Sequence, residues 1–222
     1  MKYPAVTNFI NGHQAASGGA MLDIFNPQNG DIISEVPLST ASELDAAVKA
    51  AGAAFEDWAA LPIKERVQVF FRYRSLLEKN ADDLARLVSE ENGKTFDEGM
   101  AEVLKSIELT EFACSLPQLV SGQVQEVSRG VECRSEVRPL GVVASITPFN
   151  FPNMVPNWTI PNALALGNAM IIKPSEQVPL SAMRLAELLS EAGLPDGIFN
   201  VVNGGQEVVE AICDHPGIAA VS

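Results

Sequence analysis

Two short stretches near the carboxyl end of the chain carry side chains that could bind a ligand. Asn150 lies in a turn between Pro148 and Pro152 and offers an amide donor. Lys173 is followed three residues later by Glu176, so that an ammonium group and a carboxylate stand close together in the sequence. A Lys donates to hydroxyl groups and a carboxylate accepts from them, a combination that suits the hydroxyl groups of a ribose.

A glycine pair forms a third stretch of this kind. Gly204 and Gly205 run directly into a predicted helix over residues 206–213. Backbone N–H groups at a helix N-terminus bind anions, and glycine lets a pyrophosphate approach the backbone closely. The sequence G-x-G-x-x-G is absent, however, so the usual Rossmann fingerprint is missing. A nucleotide bound here would make a looser phosphate contact.

Each of the three stretches follows a short apolar run. These runs and a fourth one are predicted strands and cover residues 141–146, 169–172, 198–202 and 218–221. Helical patterns separate them, over residues 154–166, 180–192 and 206–213. The alternation predicts parallel strands joined by right-handed crossovers, in a doubly wound α/β sheet. Such sheets bind ligands at the carboxyl ends of their strands, so we expect the three stretches to share one edge.

Simpler interpretations exist for each stretch taken singly. Asn150 could stabilise its turn through bonds to its own backbone, Lys173 could be solvated, and the glycines could form a bare turn. Their joint occurrence at three successive strand ends favours a nucleotide site, because dinucleotides bind at this edge.

The chain before residue 141 divides into two further segments. Residues 1–122 are predicted as an amino-terminal helical segment that packs on a partial Rossmann-like nucleotide-binding domain over residues 141–222. Capping-box sequences at residues 40–43 and 95–98 mark two of its helix starts. Within residues 123–140, residues 131–138 alternate in period two, which predicts a half-buried strand. With residues 124–127 and a turn over residues 128–130, this strand is predicted to form a hairpin. Such a hairpin could be an arm for subunit contact or a simple edge hairpin.

The composition excludes several classes of partner. The 28 acidic residues outnumber 15 basic ones, and neither half of the chain has a basic surplus, so nucleic acid is not an expected partner. No apolar run reaches the ~18 residues that span a bilayer, and the start lacks a signal-peptide pattern, which predicts a cytoplasmic protein. Three widely spaced cysteines and two distant histidines predict neither a disulfide framework nor a metal site.

Several motifs together resemble the aldehyde dehydrogenase superfamily. Residues 147–152 (TPFNFP) and 173–176 (KPSE) occur in the order and at the separation typical of that family. The resemblance extends over essentially the whole chain, from residues 9–12 (FING) through 91–94 (ENGK) to 193–197 (GLPDG). The most similar branch is that of the methylmalonate-semialdehyde dehydrogenases. The features behind this choice are Phe149, where many relatives carry Trp, and residues 111–114 (EFAC), 200–202 (NVV) and 212–216 (ICDHP).

The resemblance implies a reaction and a truncated aldehyde-dehydrogenase-like fold. Family members oxidise aldehydes with NAD(P): a cysteine attacks the aldehyde, an Asn amide and a backbone N–H hold the oxyanion, and hydride transfer leaves a thioester. In this branch coenzyme A takes up the acyl group and carbon dioxide is lost. The implied partners are a small aldehyde and, in the full-length protein, further copies in a dimer or tetramer.

The implied roles fall on particular residues. Asn150 matches the catalytic amide. The positions matching the cofactor contacts are Thr147, Pro148 and Phe149 on the nicotinamide side, Lys173 and Glu176 at the adenosine ribose, with Gln177 beside them, and Gly204 after the third strand. The carboxylate of Glu176 favours NAD over NADP, because it would repel a 2′-phosphate.

Two positions depart from the branch. Gln177 and Lys105 stand where its members usually carry Arg, and Lys105 is a candidate substrate contact. An Arg fork binds a carboxylate or phosphate at two points, whereas a Lys is a point charge. Oxidation of another semialdehyde, such as succinate semialdehyde, is therefore an alternative, and so is a reaction that does not use coenzyme A.

The family's Gly-Gln-x-Cys nucleophile segment does not occur among these residues. Cys114, Cys133 and Cys213 lie in settings that do not favour a thiolate. We therefore expect an amino-terminal portion of a longer enzyme, without its catalytic domain and inactive alone. The alternative is a natural, catalytically dead relative that serves as a binding or assembly module.

Overall fold

The computed structural model describes residues 1–222, in which ten strands and eight helices form. The strands are β1 (Asn8–Ile10), β2 (His13–Ala15), β3 (Met21–Phe25), β4 (Ile32–Pro37), β5 (Gln123–Ser128), β6 (Val131–Ser135), β7 (Val142–Ile146), β8 (Ala169–Lys173), β9 (Phe199–Val201) and β10 (Ala220–Val221). The helices are α1 (Ala41–Ala60), α2 (Ile63–Lys79), α3 (Ala81–Asn92), α4 (Phe96–Cys114), α5 (Leu116–Leu119), α6 (Met154–Ala165), α7 (Pro179–Glu191) and α8 (Gln206–Asp214). No helix is both long and apolar enough to cross a membrane.

A six-stranded sheet in the order β10-β7-β8-β9-β1-β2 forms the centre of the fold. Strands β10, β7, β8 and β9 are parallel, which confirms the predicted α/β class. The sheet is mixed, however, because β1 pairs antiparallel with β9 and β2 pairs antiparallel with β1. Strands of three residues are too short for a periodic pattern, so the sequence did not predict that this segment joins the sheet.

Helices cover the sheet and enclose one large core. Both predicted capping boxes form, with Thr40 and Glu43 at the start of α1 and Thr95 and Glu98 at the start of α4. Helix α1 packs against β7, β8 and β9, while α4 packs against α2, α3 and α6. The resulting core contains 39 buried residues, and the four that line β8 from Ala169 to Ile172 are at most 1% exposed. The central strands are therefore rigidly held, and so are the points where their loops leave the sheet.

The hairpin of β5 and β6 forms as predicted, but the expectation of a half-buried strand is wrong. Every residue of both strands is exposed, and the two strands pair only with each other. Alternation defines two faces of a strand, whereas burial needs a neighbouring element, and no other part of the chain covers either face. The hairpin is thus not an edge of the central sheet. Its role as an arm for subunit contact stays a prediction.

Candidate functional site

A cavity of about 820 Å³ opens beside the carboxyl ends of β7 and β8. It brings together four residues that the sequence selected, Phe149 and Asn150 after β7 and Glu176 and Gln177 after β8. The rest of its lining comes from the β3–β4 ribbon, from the end of α3 and the turn after it, and from the residue before α7: Leu22, Asp23, Phe25, Pro27, Glu91, Asn92, Lys94 and Val178. Two of the three predicted strand-end stretches therefore meet in one cavity.

The side-chain amide of Asn150 is exposed in this cavity and makes no hydrogen bond to the protein. Its backbone carbonyl, in contrast, accepts a hydrogen bond of 2.5 Å from the Lys94 ammonium. The alternative in which this side chain bonds to its own turn is therefore not observed. An amide whose backbone is held while its N–H₂ group stays free can donate to a ligand.

The residues just before Asn150 connect the loop to the sheet. The buried Thr147 donates its backbone N–H to the Lys173 carbonyl at 3.0 Å, which extends the β7–β8 ladder by one residue. Pro148 and Phe149 follow and are exposed, and the Phe149 ring is 54% exposed. A flat apolar surface thus lies at the rim, beside the free amide.

Lys173 and Glu176 form an ion pair at the end of β8, with the ammonium 3.1 Å from a carboxylate oxygen. The Lys173 side chain is only 6% exposed, and that of Glu176 is 35% exposed. Burial opposes ionisation of Glu176, but its own backbone N–H and the Lys173 ammonium outweigh burial and lower its pKa. The pair therefore offers a charged donor, the ammonium of Lys173, and a charged acceptor, the carboxylate of Glu176. The next residue, Gln177, donates its backbone N–H to Ser175 Oγ at 3.3 Å.

Gly204 lies at the end of β9 and is buried, outside the lining of the cavity. A Cβ atom on it would lie 2.4 Å from Cγ2 of Val208, in the first turn of α8. The preceding Asn203 donates its backbone N–H to the Asn8 side chain at 2.8 Å, which ties this turn to β1. This close approach, together with a φ of 159°, favours glycine here without reference to a ligand.

Lys105 and the cysteines stand apart from this group. Lys105 lies on an exposed part of α4, pairs with Glu108 at 2.6 Å and does not line the cavity. None of the three cysteines lines it either. Burial raises the pKa of the Cys114 thiol to about 11, which disfavours the reactive thiolate.

The sequence did not predict the residues on α4 and just after α3 that hold the Asn150 loop. Lys94 pairs at 2.7 Å with Glu102, whose side chain is 1% exposed. The second carboxylate oxygen of Glu102 accepts the backbone N–H groups of Asn153 at 2.7 Å and Met154 at 3.0 Å. The only signal in the sequence was residues 91–94 (ENGK), whose charged side chains surround a glycine but carry no pattern that assigns them a partner.

The open sheet and the loops that leave its adjacent parallel strands place the chain among the doubly wound α/β proteins. Proteins of this class bind ligands at the carboxyl ends of the strands. The family model for the aldehyde dehydrogenase family matches residues 13–222, and the chain belongs to that family. The resemblance seen in the motifs is thereby confirmed.

Individual relatives agree with this membership. Malonate-semialdehyde dehydrogenase 2 of Geobacillus thermodenitrificans (strain NG80-2) is 48% identical over 217 residues, which are 97% of this chain and 45% of that protein. A structure from Sinorhizobium meliloti 1021 is described as a methylmalonate-semialdehyde dehydrogenase complexed with NAD. It is 43% identical to this chain with a TM-score of 0.96, and the match covers 100% of this chain and 45% of that one. The structure of methylmalonate-semialdehyde dehydrogenase from Oceanimonas doudoroffii is 41% identical in sequence and has a TM-score of 0.96. The match covers 99% of this chain and 45% of that one. The chain thus spans just under half the length of these relatives.

Proposed function

We propose that this chain supplies the NAD-binding side and the oxyanion donor of a semialdehyde dehydrogenase that acts on malonate or methylmalonate semialdehyde. The observation that carries the proposal is the free amide of Asn150, which faces the same cavity as Glu176. The names of the relatives support the substrate class, and the NAD complex of the Sinorhizobium meliloti protein supports the cofactor.

The residues at the end of β8 suit the adenosine ribose of the cofactor. The ammonium of Lys173 can donate to a ribose hydroxyl, and the carboxylate of Glu176 can accept from one. Because the pKa of Glu176 is lowered, the carboxylate is ionised at neutral pH and would repel the 2′-phosphate of NADP. NAD bound there would supply the acceptor for the hydride that leaves the aldehyde carbon as that carbon is oxidised.

Asn150 would act on the substrate and not on the cofactor. An amide donor beside the aldehyde oxygen stabilises the negative charge that develops there, and the Lys94 contact holds the backbone that carries this amide. The exposed Phe149 beside it would face the nicotinamide side of the cofactor. Since no cysteine of residues 1–222 lines the cavity, we expect these residues alone to show no aldehyde-dependent NAD reduction.

Lys105 and Gln177 bear on which semialdehyde the enzyme would accept. A point charge at Lys105 would hold a substrate carboxylate in a less defined geometry than an Arg fork. We keep the transfer of the acyl group to coenzyme A as part of the proposal, because the branch resemblance supports it. Assembly into dimers or tetramers is proposed as well, and the fully exposed hairpin supports it.

Ligand titration of this chain tests the proposal. We expect NAD⁺ to bind, as detected by saturation-transfer difference NMR, which responds even to millimolar dissociation constants. Replacing the ammonium in Lys173→Met should raise the NAD⁺ dissociation constant at least about tenfold, the equivalent of one charge-assisted hydrogen bond. Lys49→Met is the matched control, because the Lys49 side chain is 76% exposed on α1. Absence of NAD⁺ binding, or equal binding by both variants, would contradict the proposal.

A further inference from the structure

The end of α3 and the turn that follows it contact both loops that face the cavity. This segment comprises residues 91–94, of which Glu91 and Asn92 are the last residues of α3 and Gly93 adopts a left-handed conformation with φ of 84°. Its polar side chains at 91, 92 and 94 all line the cavity and all reach backbone groups of other segments. We call residues 91–94 the anchor turn.

On one side, the anchor turn holds the helix that follows the ribose-side loop. Both carboxylate oxygens of Glu91, which is 2% exposed, accept backbone N–H groups of α7, from Leu180 at 2.8 Å and from Ser181 at 2.9 Å. These N–H groups have no partner within their own helix, because they lie in its first turn. Glu91 therefore fixes where α7 starts, only three residues after Glu176.

On the other side, the anchor turn holds the Asn150 loop. The Asn92 amide donates to the Phe149 carbonyl at 2.8 Å, and Lys94 donates to the next carbonyl, that of Asn150, at 2.5 Å. The Lys94 ammonium also lies 3.8 Å from the centre of the Phe151 ring, a favourable cation–π position. Three consecutive residues of the loop thus each contact the anchor turn.

Buried Glu102 makes the Lys94 contact specific. It receives Lys94 with one oxygen and the first N–H groups of α6 with the other, so that the ammonium and the start of α6 share one carboxylate. Ser106, one turn further along α4, donates to the Asn153 side chain at 2.7 Å. The loop that carries Asn150 is therefore held at both its middle and its end.

We propose that the anchor turn positions the ribose-side loop and the Asn150 loop relative to each other, with Glu91, Asn92 and Lys94 as positioning residues. It keeps the Asn150 backbone fixed while leaving the side-chain amide free for a ligand. This deepens the proposed function and rests on it only where cofactor affinity is concerned, because the backbone contacts exist without a ligand.

Hydrogen exchange measured by mass spectrometry and ¹⁵N relaxation measured by NMR, both on the full chain, test the positioning. Asn92→Asp replaces the donor by a carboxylate facing the Phe149 carbonyl, at a half-exposed site where folding is not at risk. The N–H groups of residues 149–151 donate to no partner, so the readout for this variant is ¹⁵N relaxation. We expect the backbone order parameters of these residues to fall from about 0.85 to below about 0.6 when the Asn92 bond is lost. Glu91→Gln should accelerate exchange at residues 180–181 instead. Val88→Ala, a cavity variant at a fully buried site one turn earlier in α3, is the control and should leave both segments unchanged relative to the rest of the chain.

The Lys94 contact needs a paired variant. Lys94→Met alone leaves Glu102 buried without its cation, which can unfold the chain. Lys94→Met with Glu102→Gln removes both charges and should accelerate exchange at residues 153–154, whose N–H groups donate to Glu102. Wild-type exchange and order parameters in all of these variants, or the same local changes in Val88→Ala, would overturn the inference.

Affinity for NAD⁺, used as the probe, separates this inference from the proposed function. If the wild-type chain binds NAD⁺, we expect Asn92→Asp and Glu91→Gln to raise the dissociation constant several-fold while Val88→Ala does not. If the wild-type chain does not bind NAD⁺, the proposed function fails, and the exchange and relaxation data alone decide on the anchor turn.

Discussion

Placing a methyl group on Gly204 should displace the start of α8. The added Cβ would lie 2.4 Å from Val208 Cγ2, about 1 Å short of ordinary van der Waals contact at 3.4 Å, and Ser39 O lies at 3.4 Å on another side. Val208 is 0% exposed and has no room to move away. Overpacking of this kind costs about 1–3 kcal/mol. Gly204 has a φ of 159°, which alanine rarely adopts, so the lower unfolded-state entropy of Ala does not offset this cost. We therefore expect a loss of at least about 1–3 kcal/mol.

Two further variants make this prediction specific. Gly52 in α1 has no atom within 4 Å of its Cβ position, so Gly52→Ala should stabilise the chain by about 0.5–1 kcal/mol. Val208→Ala removes the clashing methyl group, so combining it with Gly204→Ala should cost about 1 kcal/mol less than the sum of the single variants. Urea unfolding followed by circular dichroism measures all four free energies. An unfolding midpoint of Gly204→Ala at or above that of wild type, or strict additivity, would refute the reasoning.

Three other predictions follow from the same structure. Arg66 donates to the Ala165 carbonyl at 2.9 Å and to two carbonyls near the end of α1. Arg66→Met should therefore lower the free energy of unfolding by about 3 kcal/mol, whereas the control Arg86→Met, at an exposed site, should lower it by less than about 1 kcal/mol. Equal urea midpoints for the two variants would contradict this. Burial raises the pKa of Glu91 from 4.5 to about 7, so the native state binds this proton more tightly than the unfolded chain, and stability should fall as pH rises from about 4.5 to about 7. Glu91→Gln should flatten this part of the urea-midpoint profile, and identical profiles would speak against the shift. For the proposed semialdehyde dehydrogenase, assayed as the full-length enzyme, Asn150→Ala should lower turnover by roughly 10²–10³; an unchanged kcat would reduce Asn150 to a loop residue.

Local patterns predicted the elements that carry the site. The apolar runs and helical spacing after residue 141 gave β7 to β10 and α6 to α8 to within about three residues, because each element lies in one continuous segment and buries a regular set of positions. The capping boxes at Thr40 and Thr95 were equally visible, since both partners lie within one turn. Convergence of Asn150 and Glu176 then followed from the shared edge of parallel strands.

What the sequence could not predict depends on partners distant in the chain. The antiparallel pairing of Phe9 with Val201 joins residues almost 200 positions apart and leaves no periodic signal. Glu91 reaches the N-terminus of α7, 89 residues away, and Lys94 reaches Asn150, 56 residues away. For the hairpin, alternation predicted the strands correctly but not their exposure, since burial depends on a neighbour that the pattern does not contain.

A crystal structure of this chain with NAD⁺ would show where the cofactor lies relative to the ends of β7 and β8. We expect the adenosine ribose within hydrogen-bonding reach, about 2.6–3.2 Å, of Lys173 Nζ and the Glu176 carboxylate. We also expect the nicotinamide side along residues 147–149, with the Asn150 amide still free of protein partners. NAD⁺ bound away from the carboxyl ends of β7 and β8, or a cavity that stays empty at saturating NAD⁺, would contradict the proposed function.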